Sequence, residues 1–200
     1  MHTIYLIAGM PGTGKTTFST HFARQRHMPL FCKDAMKELL FDTVGFASPA
    51  AKQKLDVAST QLLYYAAAAQ MQTGGDVMIE SNFTRADMPD VQALCDRYGY
   101  RPVTVLFDGD LDAVFERVCR RDLSPDRHPA HAIPDCYPAP GGQKKKPDAP
   151  LMQRDQFFDM VESWGSREFC VGRRLVVDAT DLDKLDFARI AAQIDELEDC

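Results

Sequence analysis

The sequence predicts an α/β fold: a five-stranded parallel sheet with helices on both faces. Short apolar runs alternate with helical runs from end to end, which is the signature of βαβ units and hence of a parallel sheet. The first run, residues 3–8 (TIYLIA), is apolar at nearly every position, as a strand buried on both faces must be. Glycine-rich or polar residues follow the runs at 9–16, 34, 80–82 and 178–180, and open α/β sheets bind ligands outside the carboxyl ends of their strands.

The elements follow in order. Residues 3–8 form the first strand, and residues 15–26 form a helix that starts directly from a glycine-rich loop. Residues 29–32 form a second strand. Met36, Leu39 and Leu40 have helical spacing over residues 34–42. A long helix over residues 49–73, rich in Ala, Leu, Tyr and Gln, stops at Gly74 and Gly75. Residues 76–80 (DVMIE) are the third strand, 85–98 a helix ended by Gly99, and 102–107 (PVTVLF) the fourth strand. Residues 111–121 are an amphipathic helix with Val114 and Val118 on one side and Arg117 and Arg121 on another. Residues 124–150 then hold seven of the 12 prolines, with Gly141, Gly142 and Lys144–Lys146, and read as a loop excursion outside the core. Helical character returns over 152–164, a fifth strand covers 175–178, and a closing helix covers 183–197.

Length and composition bound the function. The 200 residues fit a single domain spanning 1–200, with a lid or insertion at about 117–150. A net charge of −6 argues against general nucleic-acid binding, which depends on Lys and Arg neutralising phosphates. The six cysteines show no metal-ligand spacing and read as reduced thiols. The apolar start has no basic segment before it and no cleavage signal after it, and no stretch approaches the ~20 residues of a membrane span. The expectation is a cytoplasmic protein.

Residues 9–16, GMPGTGKT, match GxxxxGK[ST] at every fixed position. A polyphosphate needs several converging N–H donors, so the backbone must wrap closely around it. Glycines permit that approach, and the helix that follows aims its positive end at the anion. The expected nucleotide contacts are Gly9, Met10, Pro11, Gly12, Thr13, Gly14, Lys15, Thr16 and Thr17. Lys15 reaches the β- and γ-phosphates of ATP, and the Thr16 hydroxyl ligates Mg²⁺.

Other candidates sit at the ends of the runs. Asp34 reads either as a base for an attacking hydroxyl or as a helix N-cap. Lys37, one turn on, reads as a contact to an anionic substrate group or as a solvated lysine. Glu80 can hold Mg²⁺ through water, with Asp108 and Asp178 as competitors. Asn82 and Arg85 can contact the acceptor, against turn chemistry for the first and a surface charge for the second. Arg117 and Arg121 share a helix face, and with Arg120 and Arg127 they suit either a lid over phosphates or a solvated basic face. His128, His131 and Cys136 lack zinc-finger spacing. Lys144–Lys146 reads as a solvated charge run, and Tyr64–Tyr65 and Phe157–Phe158 as packing.

GMPGTGKT, then Asp34, then ESNFTR, then RVCRRDLSPDRHP resembles the small P-loop kinases, in particular the branch holding polynucleotide kinase 5′-kinase domains, zeta toxins and chloramphenicol phosphotransferase. The resemblance implies a P-loop NTPase fold, an ATP- and Mg²⁺-dependent transfer to a hydroxyl, and an Arg-rich lid. It implies Lys15, Arg117 and Arg121 in catalysis with Asp34 as base. It also implies Asn82 and Arg85 near the acceptor, Arg121 and Arg127 on the nucleotide, and Thr180 near the nucleobase. The acceptor is a small molecule, a nucleotide or a polynucleotide end. Glu80 departs from the usual Asp, and the 124–150 segment is longer and richer in proline than a compact lid. The alternative is a nucleotide-dependent switch or slow ATPase acting through a protein partner; the chain lacks an NKxD string.

Overall fold

The computed structural model describes residues 1–138 and 152–199. The remainder of the expected excursion, with Lys144–Lys146, lies outside the described residues, as does Cys200. Five strands form one parallel sheet: β1 (Thr3–Gly9), β2 (Leu30–Cys32), β3 (Val77–Glu80), β4 (Arg101–Asp108) and β5 (Arg173–Asp178). Their spatial order is β2-β3-β1-β4-β5. The helices are α1 (Lys15–Arg26), α2 (Lys33–Thr43), α3 (Pro49–Thr73), α4 (Met88–Tyr98), α5 (Leu111–Leu123), α6 (Pro129–Ala132), α7 (Arg154–Trp164) and α8 (Phe187–Asp199). Among the described residues no helix is long and apolar enough to cross a membrane.

The alternation of side chains along a strand explains the three layers. In β1, Ile4, Leu6 and Ala8 enter a core with Leu63, Ala67 and Met71 of α3 and Val91 and Cys95 of α4. Tyr5 and Ile7 point the other way, into a core with Phe18 and Phe22 of α1 and Ile190 and Ile194 of α8. Every residue of β1 is buried, which is why it reads as an uninterrupted apolar run. The register pairs Ile7 with Glu80, Cys32 with Glu80, Gly9 with Phe107 and Asp108 with Asp178. The carboxyl ends of all five strands therefore open on one edge.

Among the boundaries that differ from expectation, three lie at α2, after β3 and at the closing helix. Helix α2 begins at Lys33 with Cys32 as its cap residue, so Asp34 lies inside the first turn and is not the N-cap. The helix expected from Arg85 opens as a 3₁₀ turn, Arg85–Asp87, because Thr84 and Asp87 close a capping box there. The closing helix is divided, with a 3₁₀ turn at Leu182–Lys184 and α8 starting at Phe187.

The larger correction concerns residues 124–138, expected outside the core. Pro129 starts the short helix α6, and Tyr137 pairs with Phe46 in an antiparallel bridge. Ala130 and Tyr137 are buried with Phe41 and Phe46 in a cluster of their own. The Lys52 ammonium donates to the carbonyls of His131 (3.1 Å) and Ile133 (2.7 Å). The high proline content hid this, because the apolar anchors are few and their partners are distant in sequence. Phe157 and Val161 of α7 pack on Val114 and Met10, as a packing role for the Phe157–Phe158 pair requires. Tyr64 donates to Asp87, whereas Tyr65 is exposed.

Phe18 is fully buried and its ring lies against Phe22, Phe107 and Phe187, joining α1 to β4 and α8. Phe18→Ala is expected to destabilise the fold by about 3–5 kcal/mol. A thermal melt should show a midpoint lower by about 6–20 °C.

Candidate active site

The loop between β1 and α1 wraps the open end of the sheet. Gly9 has φ +133°, and a Cβ there would lie 2.2 Å from the Phe107 carbonyl oxygen, so only glycine lets β1 and β4 stay paired up to the loop. Gly14 caps α1 in the left-handed region (φ 81°), and the first-turn N–H groups of α1, at Lys15, Thr16 and Thr17, face the loop. The Thr13 hydroxyl donates to the Met10 carbonyl (2.8 Å) and braces the turn from within.

Lys15 is almost completely buried. Its ammonium donates to the Met10 carbonyl (2.7 Å) and to Asn82 Oδ1 (2.9 Å). Burial lowers its pKa to about 8, while the Glu80 and Asp34 carboxylates favour the charged form. Glu80 is also buried: one carboxylate oxygen accepts the Thr16 hydroxyl (2.7 Å) and the other the Ser19 hydroxyl (2.8 Å). Ser19 was not anticipated, although its place one turn after Thr16 puts both hydroxyls on one helix face. The competitors Asp108 and Asp178 are engaged elsewhere, Asp108 by Arg167 (2.9 Å) and Asp178 by the Thr180 N–H (2.9 Å). A hydroxyl and a carboxylate side by side are hard oxygen donors that fit Mg²⁺, an ion that takes few protein ligands and completes its shell with phosphate and water.

The arginines divide by position. Arg117 is a clamp: its guanidinium donates to the carbonyls of Gly12 (2.8 Å), Thr180 (2.7 Å) and Ala179 (2.6 Å), tying the phosphate loop to the turn after β5. Arg121 lies 3.7 Å and Arg127 3.8 Å from the same Asp34 oxygen. Burial pushes the Asp34 carboxyl up, but the charges of His131, Arg127, Arg121 and Lys15 together hold it below the usual carboxylate range. His131 contributes only in acid, because its own burial lowers its pKa. At neutral pH the two guanidiniums and Lys15 keep Asp34 ionised. His131 bonds Glu38 (2.8 Å), and His128 Nδ1 accepts the Ala130 N–H.

Two cavities meet at this edge. One of about 390 Å³ is lined by residues 12–17, Glu80, Arg117, Arg121 and Leu182. The other, of about 690 Å³, is lined by Lys37, Lys52, Asp56, Thr60, Asp87 and Trp164, among others. Asp34, Ser81 and Asn82 line both. Of the expected acceptor residues, Asp34, Lys37 and Asn82 are therefore gathered. Arg85 is not: it is exposed, pairs with Glu168 (2.6 Å) and lines neither cavity. Gly9, Met10 and Pro11 support the loop from below, Arg127 stands behind Asp34, and the Thr180 hydroxyl accepts the Asp110 N–H (3.0 Å). Asp56, Lys33 and Trp164 were not legible as site residues, because no local signal marks a side chain that reaches a cavity across the fold.

Residues 4–135 match the model of the AAA domain family. Among solved structures, a putative kinase from Chloroflexus aurantiacus is similar, with 27% identity and a TM-score of 0.77 over 98% of this chain and 97% of that one. A sugar kinase from Janibacter sp. (12% identity, TM-score 0.58, 100% and 95% covered) shares the fold. So does the shikimate kinase of Bacteroides thetaiotaomicron (16% identity, TM-score 0.53, 99% and 99% covered). No curated protein matches the sequence.

The buried Lys15 generates a prediction about stability. Its pKa is about 8 folded and 10.5 unfolded, so between these values the unfolded chain binds more protons and stability rises with pH. Relative to Lys15→Met, the wild-type protein should gain about 2 kcal/mol between pH 7 and pH 10, read from urea midpoints.

Proposed function

The chain belongs to the AAA domain family and has the architecture of a small P-loop kinase, and on that premise we propose that it is an ATP- and Mg²⁺-dependent phosphotransferase that moves the γ-phosphate to a hydroxyl of a small molecule, a nucleotide or a polynucleotide end. The observation that carries this reading is the position of Asp34, which borders both the phosphate cavity and the larger cavity beside it. A hydroxyl entering from the second cavity meets a phosphoryl group held in the first within reach of an ionised carboxylate.

In this reaction Asp34 accepts the hydroxyl proton as the acceptor oxygen bonds to the γ-phosphorus. The bond from that phosphorus to the β–γ bridging oxygen breaks, leaving ADP and a phosphate ester. The loop N–H groups and Lys15 hold the β- and γ-phosphates, and Asn82 holds Lys15. Thr16 and Glu80 would hold Mg²⁺, which would neutralise charge on the phosphate oxygens. Arg121 lines the phosphate cavity and stabilises the charge on the group in transit. Arg117 acts by positioning, since its guanidinium is taken up by three backbone carbonyls. Arg127 keeps Asp34 ionised and in place.

ADP release from Mg·ATP, measured across nucleosides, 5′-hydroxyl oligonucleotides, sugars and amino-sugar nucleotides, tests the reading. One class should stimulate release. With it, Asp34→Asn should lower kcat by ~10²–10⁴ while nucleotide affinity changes by less than about threefold. Lys15→Ala should abolish turnover with the fold retained. Unchanged turnover in Lys15→Ala would refute the proposal. ATP binding with no response to any alcohol would favour a switch or slow ATPase acting through a protein partner.

A further inference from the structure

The larger cavity holds a group of charges that phosphoryl transfer does not use. Lys33 and Lys37 lie one turn apart on α2, and both pair with a single carboxylate, Asp56 of α3. Lys52, one turn before Asp56 on α3, lines the same cavity. Two ammoniums therefore share one carboxylate, and a third lines the cavity beside them. The other two acids of the cavity have partners outside these three lysines, cationic for Asp34 and neutral for Asp87. Asp34 is faced by Arg121 and Arg127, and Asp87 accepts the Thr84 N–H, the Thr84 hydroxyl and the Tyr64 hydroxyl.

The donors are not exhausted either. Each ammonium carries three N–H groups. Asp56 takes one from Lys33 and one from Lys37, and the His131 and Ile133 carbonyls take two from Lys52. Among the described residues this leaves donors on all three. The shared carboxylate and the two carbonyls hold the ammoniums in place, so little side-chain freedom is lost when an anion binds. Burial, then repulsion from Lys37 and Arg127, brings Lys52 down to about 8 against the attraction of Asp135 and Asp56. An anion placed among the three would relieve that repulsion.

We propose that the acceptor carries an anionic group, a phosphate or a carboxylate, in addition to the hydroxyl that is phosphorylated, and that Lys33, Lys37 and Lys52 bind that group while Asp34 meets the hydroxyl. This rests on the phosphotransferase reading for the role of Asp34, but the anion site stands on its own geometry. Asp56 is a positioning residue that keeps the two α2 lysines together. Specificity then comes from separation: the anion is fixed on the α2–α3 side, and the hydroxyl must reach the junction with the phosphate cavity. Trp164 lines the same cavity and offers an aromatic surface to the body of the acceptor.

The test is a lysine footprint on the full chain, with the nucleotide site filled by Mg·ADP so that anions are excluded from the phosphate loop. Limited acetylation read by mass spectrometry would compare ribose with ribose 5-phosphate, a nucleoside with its 5′-monophosphate and glucose with gluconate, with inorganic phosphate as a bare anion. The anionic members should protect Lys33, Lys37 and Lys52 by about threefold or more where the neutral members do not, with Lys54 and Lys184 unprotected as controls. Equal protection by both members of each pair, or none at these three lysines, would overturn the proposal.

Turnover gives a second readout. In Lys33→Gln/Lys37→Gln the preference in kcat/KM for the anionic over the neutral alcohol should shrink by about tenfold or more, mostly through KM. A preference that survives the double substitution would also count against the site. Protection of the lysines without phosphorylation of any alcohol would leave the anion site standing and remove the kinase reading. Phosphorylation of neutral alcohols without protection would do the reverse.

Discussion

Lys15 carries a positive charge into a nearly closed site, and much of the surrounding structure is arranged around holding it there. An ammonium stripped of water is costly, and its pKa falls unless polar groups replace the solvent. The Met10 carbonyl is available because the loop turns back on itself, and Asn82 is available because β3 ends beside β1. The Glu80 carboxylate at the end of β3 and the Asp34 carboxylate just after β2 add attraction. The charge therefore requires β1, β2 and β3 to finish at the same level, which the parallel register provides.

The two cavities on this edge are built from different parts of the fold. The phosphate pocket is made of backbone, of the first turn of α1 and of side chains whose partners lie in the sheet. Arg117 closes it from the far side by binding three carbonyls, which ties the loop to the turn after β5. The larger cavity is built from the facing sides of α2 and α3, from the turn after β3 and from Trp164. Those surfaces carry no strand register, and their chemistry is set by side chains alone.

The segment after α5 combines two tasks. Arg121 and Arg127 bring positive charge to Asp34, while α6 and the Phe46–Tyr137 bridge anchor the chain to the end of α2 and the start of α3. Arg127 is largely buried with two guanidinium nitrogens lacking hydrogen-bond partners, held near Asp34 and Asp122 at close to 4 Å. The Phe46–Tyr137 bridge and the Lys52 hydrogen bonds fasten the described part of this segment to the body of the fold.

The sequence by itself determined the order of elements, the doubly covered parallel sheet and the phosphate loop, because each rests on local chemistry. Continuous apolar runs declare strands buried on both faces, a period of 3.6 declares helices, and a loop that wraps phosphates needs its glycines, lysine and threonine at fixed spacing. The sequence also marked Asp34, Glu80 and Asn82, which stand at strand ends where the fold class places ligands. Tertiary structure alone decided the rest. It made Arg117 a clamp, sent Arg85 to Glu168 on the surface, and drew Asp56 between two lysines of another helix. It also turned a proline-rich stretch into a packed segment on Phe41 and Phe46. The physical reason is the same in each case. A long charged side chain can reach many partners, and a few apolar anchors leave no periodic trace. Their roles are fixed by what the fold brings within 3–4 Å, over separations of 19 to 105 residues.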